Sequence, residues 1–179
     1  MAIVAADILF KLSVTTGPGN STAQADPNLS LGEFISTTQI TDATLHNLFD
    51  VVTGDDNAAS DVEYRCIFVH NAHATLSWLT PVVWLSAETA GGANIAIAID
   101  GVAASAIGSA VAQADEVVNE NTAPTGEVFS SPTTKATGLA LATLPAGQCR
   151  AIWLRRTAAN SAALDNDDVT IRVEGDTQA

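Results

Sequence analysis

The sequence contains few cysteines. Only Cys66 and Cys149 occur in 179 residues, which is too few for a scaffold held by disulfide bonds. Each lies in a run of alternating apolar and polar residues, so we expect two buried free thiols. Neighbouring strands could bring the two residues together, but in a reducing cytoplasm a bridge between them is not expected.

Positive charge is also scarce. Seven basic residues stand against 20 acidic ones, and the formal net charge is −13. Binding to a phosphate backbone or to anionic lipid headgroups requires the opposite sign, so no nucleic-acid partner and no membrane partner is expected. An acidic exterior is compatible with simple solubility, with docking onto a basic partner surface, or with shielding from polyanions.

Long apolar runs are missing as well. The first residues, MAIVAADILFKLSVTT, contain no basic segment followed by an apolar one. We therefore expect neither a secretory signal peptide nor a membrane span. Aromatic residues make up 5% of the chain while hydrophobic residues make up 47%, much of it alanine. This composition favours tightly packed sheets with a few large side chains.

Motifs that carry catalysis or bind nucleotides are absent from the sequence. There is no GxSxG, no GxxxxGK[ST], and no GxGxxG between a strand and a helix. We interpret His70 and His73 as exposed turn residues, because their spacing fits no established zinc pattern. The third histidine, His46, adds no motif.

Two acidic groups, at 55–61 and 165–168, could offer oxygens to calcium, but neither has the EF-hand spacing. We interpret both as solvated turns. The prediction is no enzyme, with no catalytic residue, no cofactor-binding residue and no metal ligand.

Strict alternation of apolar and polar residues is the strongest positive signal. It is clearest in the last third of the chain, where two runs read as half-buried strands joined in a final hairpin. Similar but shorter patterns occur earlier in the chain. The predicted strands lie at 8–14, 33–40, 62–71, 76–85, 95–99, 139–144, 149–156 and 169–174.

Other segments predict turns and one helix. Thr41 or Asp42 could cap a short helix that places Leu45, Leu48, Phe49 and Val52 at helical spacing and ends at Gly54. Asp100 and Gly101 are typical of a tight hairpin. The stretch Val102 to Glu127 predicts an irregular excursion with a helical turn at most, and is the expected place for partner contacts.

The pattern of strands predicts an all-β protein. About seven to nine short strands with no alternating long helices favour an antiparallel β-sandwich of jelly-roll or immunoglobulin-like topology, with one short helix and long loops. The length of 179 residues suits a single domain, 1–179, that includes the excursion at about 102–127.

Arginines and tryptophans leave two interpretations open. Arg65, Arg150, Arg156 and Arg172 are expected on outward faces, paired across strands with Glu63 and Glu174. Alternatively, Arg155 and Arg156 belong to an interface, where arginine is enriched. Trp153 is expected to be a core anchor, and Trp78, beside a turn, a contact residue.

Five segments of the chain are distinctive: DPNLSLGEFISTTQI, LHNLFDVVTGDD, EYRCIFVHN, LPAGQCRAIWLRRT and DDVTIRVEGDT. Together they resemble small virion structural proteins of tailed bacteriophages, most closely the capsid decoration (cement) proteins. The similarity covers most of the chain apart from the central excursion. These proteins share no catalytic motif that could be carried over to numbered residues.

The resemblance implies a β-sandwich that stabilises a capsid by bridging major capsid protein subunits. It also implies a homo-oligomer on the particle, a location on the capsid surface, and synthesis in the host cytoplasm. Contacts are expected from the N-terminal arm, the loop from Thr15 to Asn28, and the Val102 to Glu127 excursion.

Two alternatives remain. One is a tail, baseplate or fibre-associated module, with carbohydrate affinity through Trp78 and acidic side chains. The other is a calcium-dependent carbohydrate-binding module outside the virion.

Overall fold

Nine strands in two antiparallel sheets build the protein, as a computed structural model describes it for residues 2–178. One short helix, α1 (Gly54–Ala59), and three single 3₁₀ turns complete the regular structure. The strands are β1 (Ile8–Val14), β2 (Phe34–Gln39), β3 (Val62–Asn71), β4 (Trp78–Glu88), β5 (Asn94–Ile99), β6 (Ser105–Ala106), β7 (Leu139–Ala140), β8 (Gln148–Thr157) and β9 (Val169–Thr177). The predicted all-β sandwich is confirmed.

The two sheets differ in width. Sheet 1 has the order β2-β1-β3-β8-β5, with β6 also paired to β8, and sheet 2 has the order β7-β4-β9. The predicted final hairpin is wrong, because β8 and β9 lie in different sheets. The chain between them crosses from one sheet to the other instead of turning back along the same one.

The main core lies between the sheets. Val83 and Leu85 from β4 pack against Ile67 and Val69 from β3 and Ile152 from β8. These side chains are almost completely removed from water. On β9 the predicted alternation holds, since odd-numbered residues point toward this core and even-numbered ones toward solvent.

A second core covers the opposite face of sheet 1. Leu31, Ala114 and Val117 from loop segments pack against Phe68 and Trp153 of the sheet. We call residues 15–33 and 107–131 the loop layer. Because this layer covers sheet 1 on one side and sheet 2 covers it on the other, β3 and β8 are buried on both faces, rather than half-buried as predicted.

The predicted helix near 41–53 is wrong. That segment consists of turns, and Ala43 and His46 adopt positive φ angles of 53° and 56°, which interrupt a right-handed helix. The helix begins instead at Gly54, because the Thr53 hydroxyl and the Asp56 carboxylate form a capping box. It therefore occupies much of the segment predicted to be an acidic loop.

The predicted hairpin at Asp100 and Gly101 is also wrong. Strands β5 and β6 pair with consecutive parts of β8 in the same antiparallel sense, so the chain continues along one sheet edge through this turn. Apart from β6, the segment that follows, to Glu127, is irregular as predicted and contains no helix.

Within residues 2–178, no helix is long and apolar enough to cross a membrane.

Candidate interaction surface

Backbone hydrogen bonds join the two halves of the loop layer. The amides of Gln113 and Ala114 donate to the carbonyl of Glu33 at 2.7 and 3.1 Å, and the amide of Val117 donates to the carbonyl of Leu31 at 3.0 Å. The amide of Gly19 donates to Ser109 at 2.8 Å. The Thr15 to Asn28 loop and the Val102 to Glu127 excursion, two separate contact segments in the sequence analysis, are therefore parts of one surface.

Gln113 fastens this layer to sheet 1. Its side chain is 1% exposed. The amide oxygen accepts from the backbone N–H of Ile35 at 3.2 Å, and the amide nitrogen donates to the carbonyl of Ala106 at 2.9 Å and to the Ser105 hydroxyl at 3.0 Å. A buried side chain satisfied from both sides holds the layer in one position.

Two buried serines add a second fastening point. The Ser30 hydroxyl donates to the carbonyl of Cys66 at 2.6 Å, and the Ser13 hydroxyl accepts from the amide of Gly32 at 2.8 Å. Both serines are fully buried. These buried hydrogen bonds make the loop layer an integral part of the folded domain.

Three carboxylates meet where the layer joins β5. Asp100 is fully buried and accepts hydrogen bonds from the Trp153 indole at 2.8 Å, the Asp115 amide at 2.9 Å and the Val102 amide at 2.7 Å. Oxygens of Asp100, Asp115 and Glu127 lie within 4.8 Å of one another, so the group could hold a cation. Sequence spacing gave no sign of this group, because the three residues come from different turns.

The same three carboxylates repel one another. Burial and the charge of Asp100 raise the pKa of Asp115. Burial also raises the pKa of Glu127, against the lowering effect of a hydrogen bond from the Gly101 amide. Since the N–H donors already occupy both Asp100 oxygens, a structural role in fixing the layer explains that residue fully.

Large apolar side chains project from the loop layer into solvent. Val111 is 76% exposed, Val118 85% and Val128 82%. The layer also carries six acidic residues and no lysine or arginine: Asp26, Glu33, Asp115, Glu116, Glu120 and Glu127. An ordered surface that combines exposed valines with a net negative charge is the candidate interaction surface.

Arg65 and Arg156 are buried, contrary to the prediction that they face outward. Arg65 is completely inaccessible; its guanidinium donates to Glu120 at 2.6 Å and to the Asn28 side chain at 2.6 Å. Arg156 pairs with Glu63, its neighbour in the β3–β8 register, so the cross-strand pair itself is confirmed.

Both guanidinium groups also pack against the segment before α1. They lie over the Phe49 ring at 5.0 Å for Arg65 and 4.7 Å for Arg156. Arg156 further contacts Asp50 at 3.0 Å. Burial raises the pKa of Glu63 more than Arg156 lowers it. The network therefore holds residues 48–50 against sheet 1.

The remaining predicted basic sites are dispersed. Arg150 donates to the carbonyl of Asp100 at 2.7 Å, and the Arg155 guanidinium lies 5.2 Å from the Phe129 ring centroid. Glu174, which was expected to pair with an arginine across strands, pairs instead with Lys135 at 2.5 Å. Arg172 is exposed and has no ion-pair partner within residues 2–178.

The histidines and cysteines do not form a reactive group. His70 lies in β3 and is 7% exposed, so its assignment to an exposed turn is wrong; burial, with Lys11 nearby, lowers its pKa to about 4. His73 does lie in a turn, where its Nδ1 accepts from two backbone amides. Cys66 and Cys149 are buried free thiols as predicted, and burial raises the pKa of each.

All three tryptophans are buried. Trp78 is 4% exposed, so the prediction that it is a contact residue is wrong, and its ring has no free face for stacking on a sugar. Trp153 is the predicted core anchor. A surface depression with a volume of about 370 Å³ lies between residues 88–94 and Ala159 and Ser161, and no tryptophan lines it.

No protein-family model, no curated protein and no solved structure matches this chain.

Proposed function

We propose that this protein decorates a bacteriophage capsid and stabilises it by bridging major capsid protein subunits. The proposal starts from the sequence resemblance to small virion proteins of tailed phages. The loop layer is the observation that carries it further. It combines an ordered backbone, exposed valines and a net negative charge that the Arg65–Glu120 pair offsets only in part, which is suited to docking on a basic and partly apolar partner.

Rigidity supports this role because an ordered surface loses little conformational entropy when it binds. The layer is fixed by Gln113, by the two buried serines and by backbone bonds between its halves. Exposed valines on such a surface gain stability by leaving water at the interface. Repetition of a modest contact over many copies would then stabilise the shell.

A binding experiment with heads purified from the phage that encodes the chain tests the proposal. Wild-type protein should co-sediment with heads that lack it and should raise their resistance to heat and osmotic shock. The double variant Val111→Ser with Val118→Ser should bind about tenfold more weakly or worse, because two apolar contacts are lost.

A matched control is available outside the loop layer. Leu45 and Val51 are 71% and 63% exposed in the segment before α1, so Leu45→Ser with Val51→Ser removes similar apolar area elsewhere. This control should bind like wild type. Wild-type protein that fails to bind heads would overturn the capsid function, whereas loss of binding only in the control would move the interface to another surface.

The alternative is a tail, baseplate or fibre-associated module. Copy number separates the two, because hundreds of copies per particle indicate the head and a few dozen or fewer indicate the tail. Carbohydrate binding is not favoured within either role, since the tryptophan on which it was predicted is buried.

A further inference from the structure

Strand β9 leaves one edge without a partner within residues 2–178. Both outer edges of sheet 1 are covered: Asn20 and Thr22 exchange backbone bonds with β2, while Ser130 and Ser131 bond to β5. By contrast, β9 is nine residues long, contains no proline, and follows a regular course while the register shifts fall in β4. A long regular edge of this kind is a template for another strand.

The hydrogen bonds of β4 show which groups of β9 point outward. The amide of Leu85 donates to Pro132, on the side of β4 away from β9. The adjacent residue Trp84 therefore faces β9 and bonds to its register partner Arg172. Alternation along the strand then directs the N–H and C=O groups of odd-numbered residues 169–177 toward the open edge.

The side chains of β9 are complementary to a second copy of the same strand. Arg172 and Glu174 are exposed and flank Val173. An antiparallel pair with its two-fold axis at Val173 places Arg172 of each copy opposite Glu174 of the other. Moving the axis to Arg172 or to Glu174 would place like charges opposite each other, which is destabilising.

We infer that the protein self-associates through β9, which pairs antiparallel with β9 of a second copy about a two-fold axis at Val173. In this register the odd-numbered residues form the hydrogen-bonded pairs and Arg172 and Glu174 occupy the pairs whose side chains approach most closely. Sheet 2 becomes one continuous sheet of both copies. The inference does not depend on the capsid role.

Charge reversal tests the register. Arg172→Glu places a carboxylate opposite Glu174 of the other copy, and Glu174→Arg places a guanidinium opposite Arg172. By sedimentation velocity over a range of concentrations, each variant alone should dimerise about tenfold more weakly than wild type or worse. Melting curves check that each variant folds, because Glu174→Arg also loses its contact with Lys135.

An equimolar mixture of the two variants is the decisive experiment for the proposed register. Each variant supplies the charges that the other requires, so the mixture should recover dimers although neither variant dimerises well alone. Wild-type protein that stays monomeric at every concentration would overturn the inference. Dimerisation that is unaffected by either reversal would overturn this register and edge.

Amide hydrogen exchange gives a readout that does not require a variant. The amides of Ile171, Val173 and Gly175 should become protected as the protein concentration rises. The amides of Arg172 and Glu174 donate to β4 and should be protected at every concentration. Equal exchange of the odd-numbered amides in dilute and concentrated samples would contradict pairing through β9.

Discussion

At the scale of single residues, Gly32 determines how closely the two halves of the loop layer approach. Its φ angle is +104°, and a Cβ at this position would lie 1.9 Å from the carbonyl oxygen of Asp115. Backbone atoms cannot move aside as a flexible side chain can. The close approach permits the bridge between Gly32 and Glu116 that ties the halves together.

We therefore expect Gly32→Ala to destabilise the protein strongly. Gly126→Ala is the matched control, because Gly126 also has a positive φ, of +84°, but has open space around it. The control should lose roughly 1–2 kcal/mol from backbone strain alone. Gly32→Ala should lower the free energy of unfolding, measured in urea, by at least twice that amount. Equal losses for the two variants would mean that the added Cβ does not clash with the Asp115 carbonyl.

His70 should make stability depend on pH in the acidic range. Burial and the neighbouring Lys11 lower its pKa from 6.5 to about 4. As the pH falls below 6.5, His70 becomes protonated in the unfolded chain but stays neutral in the folded protein. The free energy of unfolding therefore falls between about pH 6.5 and 4. The total loss in the free energy of unfolding is of the order of 3 kcal/mol.

Urea unfolding of wild type and His70→Gln at pH 7 and pH 5 checks this expectation. Asp115, Glu127 and Glu63 have raised pKa values and act in the opposite direction, but they are present in both proteins. The variant should therefore lose less stability than wild type on acidification. Identical pH profiles would show that His70 takes up its proton equally well in the folded state.

The misplacement of Arg65 on an outward face has a physical cause. Alternation along β3 and β8 correctly gave strands and cross-strand partners, including the Glu63–Arg156 pair. The same alternation implied a wet outer face, and Arg65 was placed there. Coverage of a sheet by distant loops is not encoded in the period of the strand itself, so the burial of Arg65 could not be read from β3 alone.

At the scale of secondary structure elements, an ion-pair network decides the path of residues 41–53. Helical spacing of apolar residues predicted a helix, but Leu48 and Phe49 are used to cover Arg65 and Arg156. Two buried guanidinium groups need hydrogen-bond acceptors and side chains that cover them. The carbonyl groups of an irregular segment are free to accept from them, whereas in a helix the same carbonyl groups would bond to backbone amides. Tertiary demand therefore overrides local preference here.

The Glu63–Arg156 pair should be costly to break and less costly to replace. Removing one partner by Glu63→Gln or Arg156→Met leaves the other without its closest counter-ion, although Asp50 still contacts Arg156 and Arg65 still lies 3.9 Å from Glu63. The loss should therefore stay below the roughly 3–5 kcal/mol of a completely unpaired buried charge. The double variant should lose less than the sum of the single losses, because neither Glu63 nor Arg156 is then left buried without the other. A double-mutant cycle in urea unfolding measures the difference, and additive losses would contradict the coupling.

At the scale of the whole molecule, the few cations are mostly withdrawn from the surface. Of the seven basic residues, Lys11, Arg65 and Arg156 are buried and Arg150 and Arg155 are half-buried. The two exposed cations, Lys135 and Arg172, belong to the sheet 2 side of the protein. The loop layer thus contributes only acidic charged residues, of which Glu120 is paired with Arg65, while the half-buried Arg155 lies against Phe129. Net charge could not reveal this distribution, because it depends on which side chains fold inward.

This distribution makes the ionic-strength dependence of binding a test of which face docks. If the loop layer meets a basic surface, the association rate with heads should fall as salt rises, because screening weakens long-range attraction. Glu116→Gln, which removes an exposed carboxylate from the layer, should slow association at low salt and flatten its salt dependence. Asp176→Asn removes an exposed carboxylate from β9 and serves as the matched control.

Association rates measured by light scattering at several salt concentrations decide between the two faces. The control should retain the wild-type rate and salt dependence, since its charge lies outside the loop layer. A larger effect of Asp176→Asn than of Glu116→Gln would place the docking face on sheet 2. Binding by the loop layer would then be excluded. The capsid partner and a second copy of the protein would instead compete for β9.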